Sequence, residues 1–107
     1  MKRLLLLVAA PLALAASPAP GPDGAKIFQK WCAPCHTPGN THPGTQALTA
    51  KYAGEKSGVL TEWTDLTPDV VHFVVRHGIS VMPQFRKTEI SDAELDALAN
   101  WLSKHPR

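Results

Sequence analysis

Cysteine is scarce in this 107-residue chain: Cys32 and Cys35 are its two thiols. Thiols so close together cannot staple distant segments, which excludes a disulfide-laced scaffold. An excess of one charge is also lacking. Eleven Lys and Arg face nine Asp and Glu over the whole chain, and without Lys2 and Arg3 the count is nine of each. No stripe of Lys and Arg marks a nucleic-acid surface. Internal repeats are absent, and no pair of alternating apolar runs forms a hairpin. The long apolar run is confined to Leu4–Ala16 and is broken by Pro11. It is too short to cross a bilayer as a helix.

What is there begins with that run. Met1-Lys2-Arg3 precedes it, and Ala13-Leu14-Ala15 ends it as a small-x-small cleavage pattern. Together these predict a secretory signal peptide over residues 1–15, cut near Ala15. Retained, the same segment would be an anchor, and the cleavage pattern favours removal. Ser17-Pro18-Ala19-Pro20-Gly21-Pro22 then offers three prolines and no apolar side chain larger than Ala. Residues 16–22 therefore read as an extended leader, and one folded domain is expected over 23–107.

About 85 residues are marginal for a core made of side chains alone. With no disulfide framework, a large apolar cofactor would fill the middle. Three segments predict helices. Asp23 can cap the first, in which Ile27, Phe28 and Trp31 recur at helical spacing. The second runs from Pro68 to His77, with Thr67 as cap and Gly78 as stop. Its Val-rich interior would suit a strand equally well, and the end signals decide for helix. The third opens on Ser91 and Glu94 as a capping box, with Ile90 stapled on Leu95 and a Leu95, Leu98, Leu102 stripe. A shorter helix is expected over Gln46–Tyr52, and Glu55–Trp63 has no firm period. The fold class expected is mainly α, with three or four helices and long loops.

The chemistry sits in Cys32-Ala33-Pro34-Cys35-His36. C-x-x-C-H is the attachment pattern of c-type haem. Two thiols at this spacing can form thioethers with the two porphyrin vinyl groups, and the adjacent imidazole of His36 is brought to the iron. An exported chain agrees with attachment outside the cytoplasm. Trp31-Cys32-Ala33-Pro34-Cys35 also fits W-C-x-P-C, the thiol–disulfide motif of thioredoxins. Context opposes that alternative. Ala25–Lys30 is an amphipathic helical stretch rather than an apolar strand, and Gln84–Glu89 is polar where further strands are needed.

Met82 is the expected sixth ligand. It is the methionine left after residue 1, it follows the second helix, and Pro83 restrains its backbone. A thioether raises the reduction potential relative to a second histidine. His72 and His77 are five apart, on different faces of one helix, and His42 lies in a turn. These and His105 read as surface or capping residues. The alternative to ligation is that Met82 fills a gap in the core, and an open iron site would mark a haem sensor or a peroxidase-like protein.

With these residues in view, the chain resembles the class I c-type cytochromes over most of its mature length. Gly24 and Phe28 give the G-x-x-x-F spacing before the haem motif, and Trp101 stands where that family has an aromatic on its last helix. The resemblance implies that these two helices cross near a right angle, around one covalent haem c. Arg76-His77-Gly78 followed by Met82-Pro83-Gln84-Phe85 is similar to a segment in the small cytochrome subunits of 4-cresol-dehydrogenase-type flavocytochromes. That similarity implies a flavoprotein dehydrogenase as electron donor. The family usually shows Gly-Pro after the haem motif, and here the order is Pro43-Gly44. Pro43 is then the expected acceptor for the proximal histidine. Tyr52 and Trp63 are candidates for a haem propionate. Lys30, Lys51, Lys56, Arg86 and Lys87 are candidates for steering an acidic partner. The implied role is a periplasmic electron carrier, not an enzyme in itself.

Overall fold

Asp23 opens the first helix as its sequence position predicts. Its Oδ1 accepts from the amides of Ala25 at 3.0 Å and Lys26 at 3.4 Å, two donors a helix start leaves orphaned. The computed structural model describes residues 10–104. The charged start and most of the expected signal segment, together with His105, lie outside the described residues. Residues 10–22 carry no regular secondary structure and are exposed.

Five α-helices follow: α1 (Gly24–Trp31), α2 (Ala33–His36), α3 (Pro43–Tyr52), α4 (Pro68–His77) and α5 (Asp92–Ser103). A single 3-10 turn, Leu60–Glu62, interrupts the loop between α3 and α4. No strand occurs among the described residues; Ile79 and Met82 make one isolated antiparallel bridge. The mainly α expectation therefore holds, with more helical pieces than the three or four expected. The added piece is α2, which with its N-cap Cys32 forms the Cys32–His36 motif. The helix expected from Gln46 starts at Pro43 instead, since proline is well suited to a first helical turn.

The Val-rich segment is helical because its two faces meet different surroundings. Val71 and Val75 are buried and α4 packs on α5, so tertiary burial outweighs β-branched propensity. Thr67 caps α4 through Val70 N, and Gly78 ends it at φ 71°. The capping box of α5 is complete: Ser91 N donates to Glu94 Oε2 at 2.8 Å, and Glu94 N to Ser91 Oγ at 3.2 Å. Ile90 and Leu95, the expected staple, are 0% and 1% exposed.

At Gly24 α1 lies tight against α5. A methyl placed there would lie 2.5 Å from Trp101 Cβ and collide with the carbonyl of Ala97. Phe28 stacks at a tilt on Trp101, ring centroids 5.2 Å apart. Phe28, Ile90, Leu95 and Leu98 are fully buried where α1, α5 and the preceding loop meet. Burial of each such side chain stabilises by about 1.5–3 kcal/mol. α2 packs on α1 and α4 packs on α5.

Candidate haem-binding site

Cys32 is both the end of α1 and the start of α2. Its amide donates to Phe28 O at 2.8 Å. Its carbonyl accepts from Cys35 N at 3.1 Å and His36 N at 2.9 Å. One helical turn thus gathers Cys32, Cys35 and His36. Both thiols are free; Cys32 is buried and Cys35 exposed. Burial, aided by the neighbouring Cys35, pushes the Cys32 thiol up to about 12. A thiol–disulfide enzyme needs the opposite, an accessible cysteine with a lowered pKa. With no sheet among the described residues, the thioredoxin alternative has neither its chemistry nor its fold.

Burial also holds His36 below the usual histidine pKa, so the neutral ring is favoured. Its Nδ1 is buried with no hydrogen-bond partner among the described residues. Its Nε2 also has no hydrogen-bond partner among the described residues. A neutral imidazole with an unbonded nitrogen is the form that ligates iron. The expected bond from His36 to the Pro43 carbonyl is not made in this structure. The ring rests instead on Gly44, where an added methyl would lie 2.6 Å from His36 Cε1 and 2.8 Å from Nδ1.

Met82 lies in the loop after α4. It is half-buried and packs against the core. Ile79 N donates to Met82 O at 3.1 Å and Met82 N to Ile79 O at 2.9 Å. This tight turn passes through Ser80 at φ 53°. Phe85 N donates to Val75 O at 2.8 Å and returns the loop to α4. The large apolar side chains left exposed in the folded domain are Val70, Phe73, Ile79 and Val81, all on α4 and this loop. Phe73 is 62% and Val81 84% exposed, an arrangement suited to covering by an apolar group. The residues present therefore fit a haem: free thiols, an unbonded neutral imidazole, and exposed apolar side chains on α4 and on the loop that carries Met82.

The candidates for propionate contact fare differently. Trp63 Nε1 already donates to Ser57 O at 2.7 Å. Tyr52 packs edge-on against Trp63 at 5.4 Å, and Lys56 Nζ lies 3.6 Å over the Trp63 ring. Of the cations considered for steering, Lys56 is paired with Asp65 at 2.6 Å and Lys87 with Asp92 at 2.8 Å. Lys30 and Lys51 lie over Trp31 and Tyr52, and Arg86 is exposed. The other histidines among the described residues are engaged: His72 Nε2 with Asp96 at 3.0 Å, His77 Nδ1 with Phe73 O at 2.8 Å, and His42 with Pro34 and Thr37.

Residues 19–102 match the family model described as cytochrome c oxidase, cbb3-type, subunit III. The chain belongs to the class I c-type cytochromes. The cytochrome is 32% identical over 98 residues to cytochrome c6 of Thermosynechococcus vestitus (strain NIES-2133 / IAM M-273 / BP-1), covering 92% of this chain and 79% of that protein. No solved structure matches it. Its cofactor is haem c and its activity is electron transfer. Among the described residues, no helix of the cytochrome is long and apolar enough to cross a membrane.

Sequence reasoning missed two residues of this site. Arg76, which the sequence shows only as part of a motif, ties the Met82 loop to α5. His42, in a turn by its sequence context, reaches back to α2. Neither partner set is signalled by local spacing.

Proposed function

We propose that this cytochrome is a periplasmic monohaem carrier of single electrons, exported by residues 1–15 and released by cleavage near Ala15. Cys32 and Cys35 would hold the porphyrin by thioethers, with His36 as proximal and Met82 as distal ligand. When bound, the haem supplies an Fe(III)/Fe(II) couple. The chain's own residues do the rest. His36 offers a neutral donor because burial disfavours its charged form. Met82 offers a soft neutral donor, which favours the reduced state. The observation that carries the reading is the single turn uniting two free thiols with an unbonded neutral imidazole.

The cytochrome acts as a carrier and not as an enzyme in itself, either free or as the electron-accepting subunit of a dehydrogenase. The Arg76–Phe85 segment supports a flavoprotein dehydrogenase as donor. Two filled axial positions would close the iron to small molecules, which opposes a sensor role.

Production in a periplasm with haem-attachment machinery tests this directly. The intact mass should equal the cleaved chain plus one haem, and the pyridine haemochrome spectrum should show two thioethers. A redox titration should follow a one-electron curve. A colourless product with free or disulfide-joined sulfurs would overturn the reading. Co-purification with a flavoprotein would identify the donor.

A further inference from the structure

His42 precedes α3 but gives its own helix no side-chain cap. Its ring reaches back to α2 instead. Nδ1 lies 3.0 Å from Pro34 O, in the middle of the haem motif, and Nε2 lies 3.1 Å from Thr37 Oγ1. A carbonyl only accepts, so Nδ1 carries the proton and donates. A second bond runs the same way: Thr45 Oγ1 donates to Thr37 O at 2.7 Å. Thr45 is buried at 6% exposure. His42 and Thr45 flank Pro43 and Gly44, and both tie the start of α3 to the end of α2.

α2 has four residues, too few to hold a helix by its own hydrogen bonds. The carbonyl of Pro34 within it and that of Thr37 just after it accept from these two side chains. Between them Gly44 lies against the His36 ring so closely that no methyl fits. Nothing else fixes that ring by hydrogen bonding, since neither nitrogen has a protein partner among the described residues.

We propose that His42 and Thr45 are positioning residues: they clamp the Gly44 turn against the proximal imidazole and so set the plane of the His36 ring. This rests on the assignment of His36 as the proximal ligand. The ring is oriented by backbone contact, and the clamp supplies the force that a hydrogen bond at Nδ1 would otherwise supply.

The test uses the haem-loaded protein and the variants His42→Ala, Thr45→Val and Thr45→Ser. Mass and haemochrome spectrum establish loading for each. The hyperfine shifts of the haem methyl protons and the low-temperature g-values of the ferric form then report the axial ring plane. His42→Ala and Thr45→Val should both move these signals and the midpoint potential, while Thr45→Ser, which keeps the hydroxyl, should restore them. His72→Ala, which removes a histidine engaged with Asp96, should leave the signals in place. Loaded His42→Ala and Thr45→Val proteins with parental shifts, g-values and potential would overturn the clamp alone, even if less stable. A parent that carries no covalent haem would overturn the functional reading and the clamp with it.

Discussion

Arg76 Nη2 donates to Asp92 Oδ1 at 2.9 Å, joining the end of α4 to the start of α5. Nη1 of the same guanidinium donates to Phe85 O at 3.1 Å and Ile90 O at 2.9 Å. These three acceptors bracket the return of the Met82 loop to the core. Asp92 is largely exposed, so the ion pair itself adds little. The two carbonyls matter more, because Ile90 is fully buried.

Arg76→Ala should therefore destabilise the protein by about 2–3 kcal/mol, the cost of leaving backbone acceptors unpaired. Arg76→Lys should recover only part, since an ammonium cannot fork between separate acceptors. Denaturant unfolding followed by tryptophan fluorescence measures both. Equal stability of Arg76→Ala and the parent would show that the loop is held by other contacts.

Gly24→Ala should cost about 3 kcal/mol, because the added methyl meets Trp101 Cβ and a backbone carbonyl and neither can move aside cheaply. Gly21→Ala, with open space around it, should change nothing. Paired unfolding curves compare the two. A neutral Gly24→Ala would mean that α1 and α5 can separate without loss.

Met82→Leu keeps volume and should cost less than about 1.5 kcal/mol in stability. It should nevertheless lower the midpoint potential and let the reduced protein bind carbon monoxide. Met82→Ala should do the same with a larger loss of stability. An unchanged potential and no carbon monoxide binding in either variant would remove Met82 as a ligand.

Acid should weaken the α5 start. Hydrogen bonds from Lys87 and then Arg76 hold Asp92 below the usual carboxylate range. The Ser91 amide, then its hydroxyl, does the same for Glu94. A depressed folded-state pKa means that the unfolded chain binds more protons, so this stability is present above about pH 4 and is lost as pH falls through the folded values. Unfolding midpoints between about pH 6 and pH 2 should fall along that course. Asp92→Asn with Glu94→Gln should flatten the curve, and an equally steep fall in the double variant would place the acid-sensitive groups elsewhere.

Much of the fold was legible because it is local. Asp23, Thr67 and the Ser91–Glu94 box fix helix starts through bonds to amides two or three residues away. Gly78 ends α4 for the same short-range reason. The haem motif is local too, since one turn from Cys32 brings Cys35 and His36 together. α2 escaped notice because four residues have no periodicity to read, and its ends are satisfied from α3.

Sequence by itself determined where α1, α4 and α5 begin and that Cys32, Cys35 and His36 share one turn, since both depend on neighbours within one turn. Only the tertiary structure decided the uses of the remaining polar groups. Pro43 gives way to Gly44 at the imidazole, Trp63 spends its N–H on Ser57, and Arg76 reaches acceptors nine to sixteen residues away. Each of these groups had several partners of equal chemical merit along the chain. The packing of α1 on α5, and of α3 on α2, brought one of them within hydrogen-bond distance.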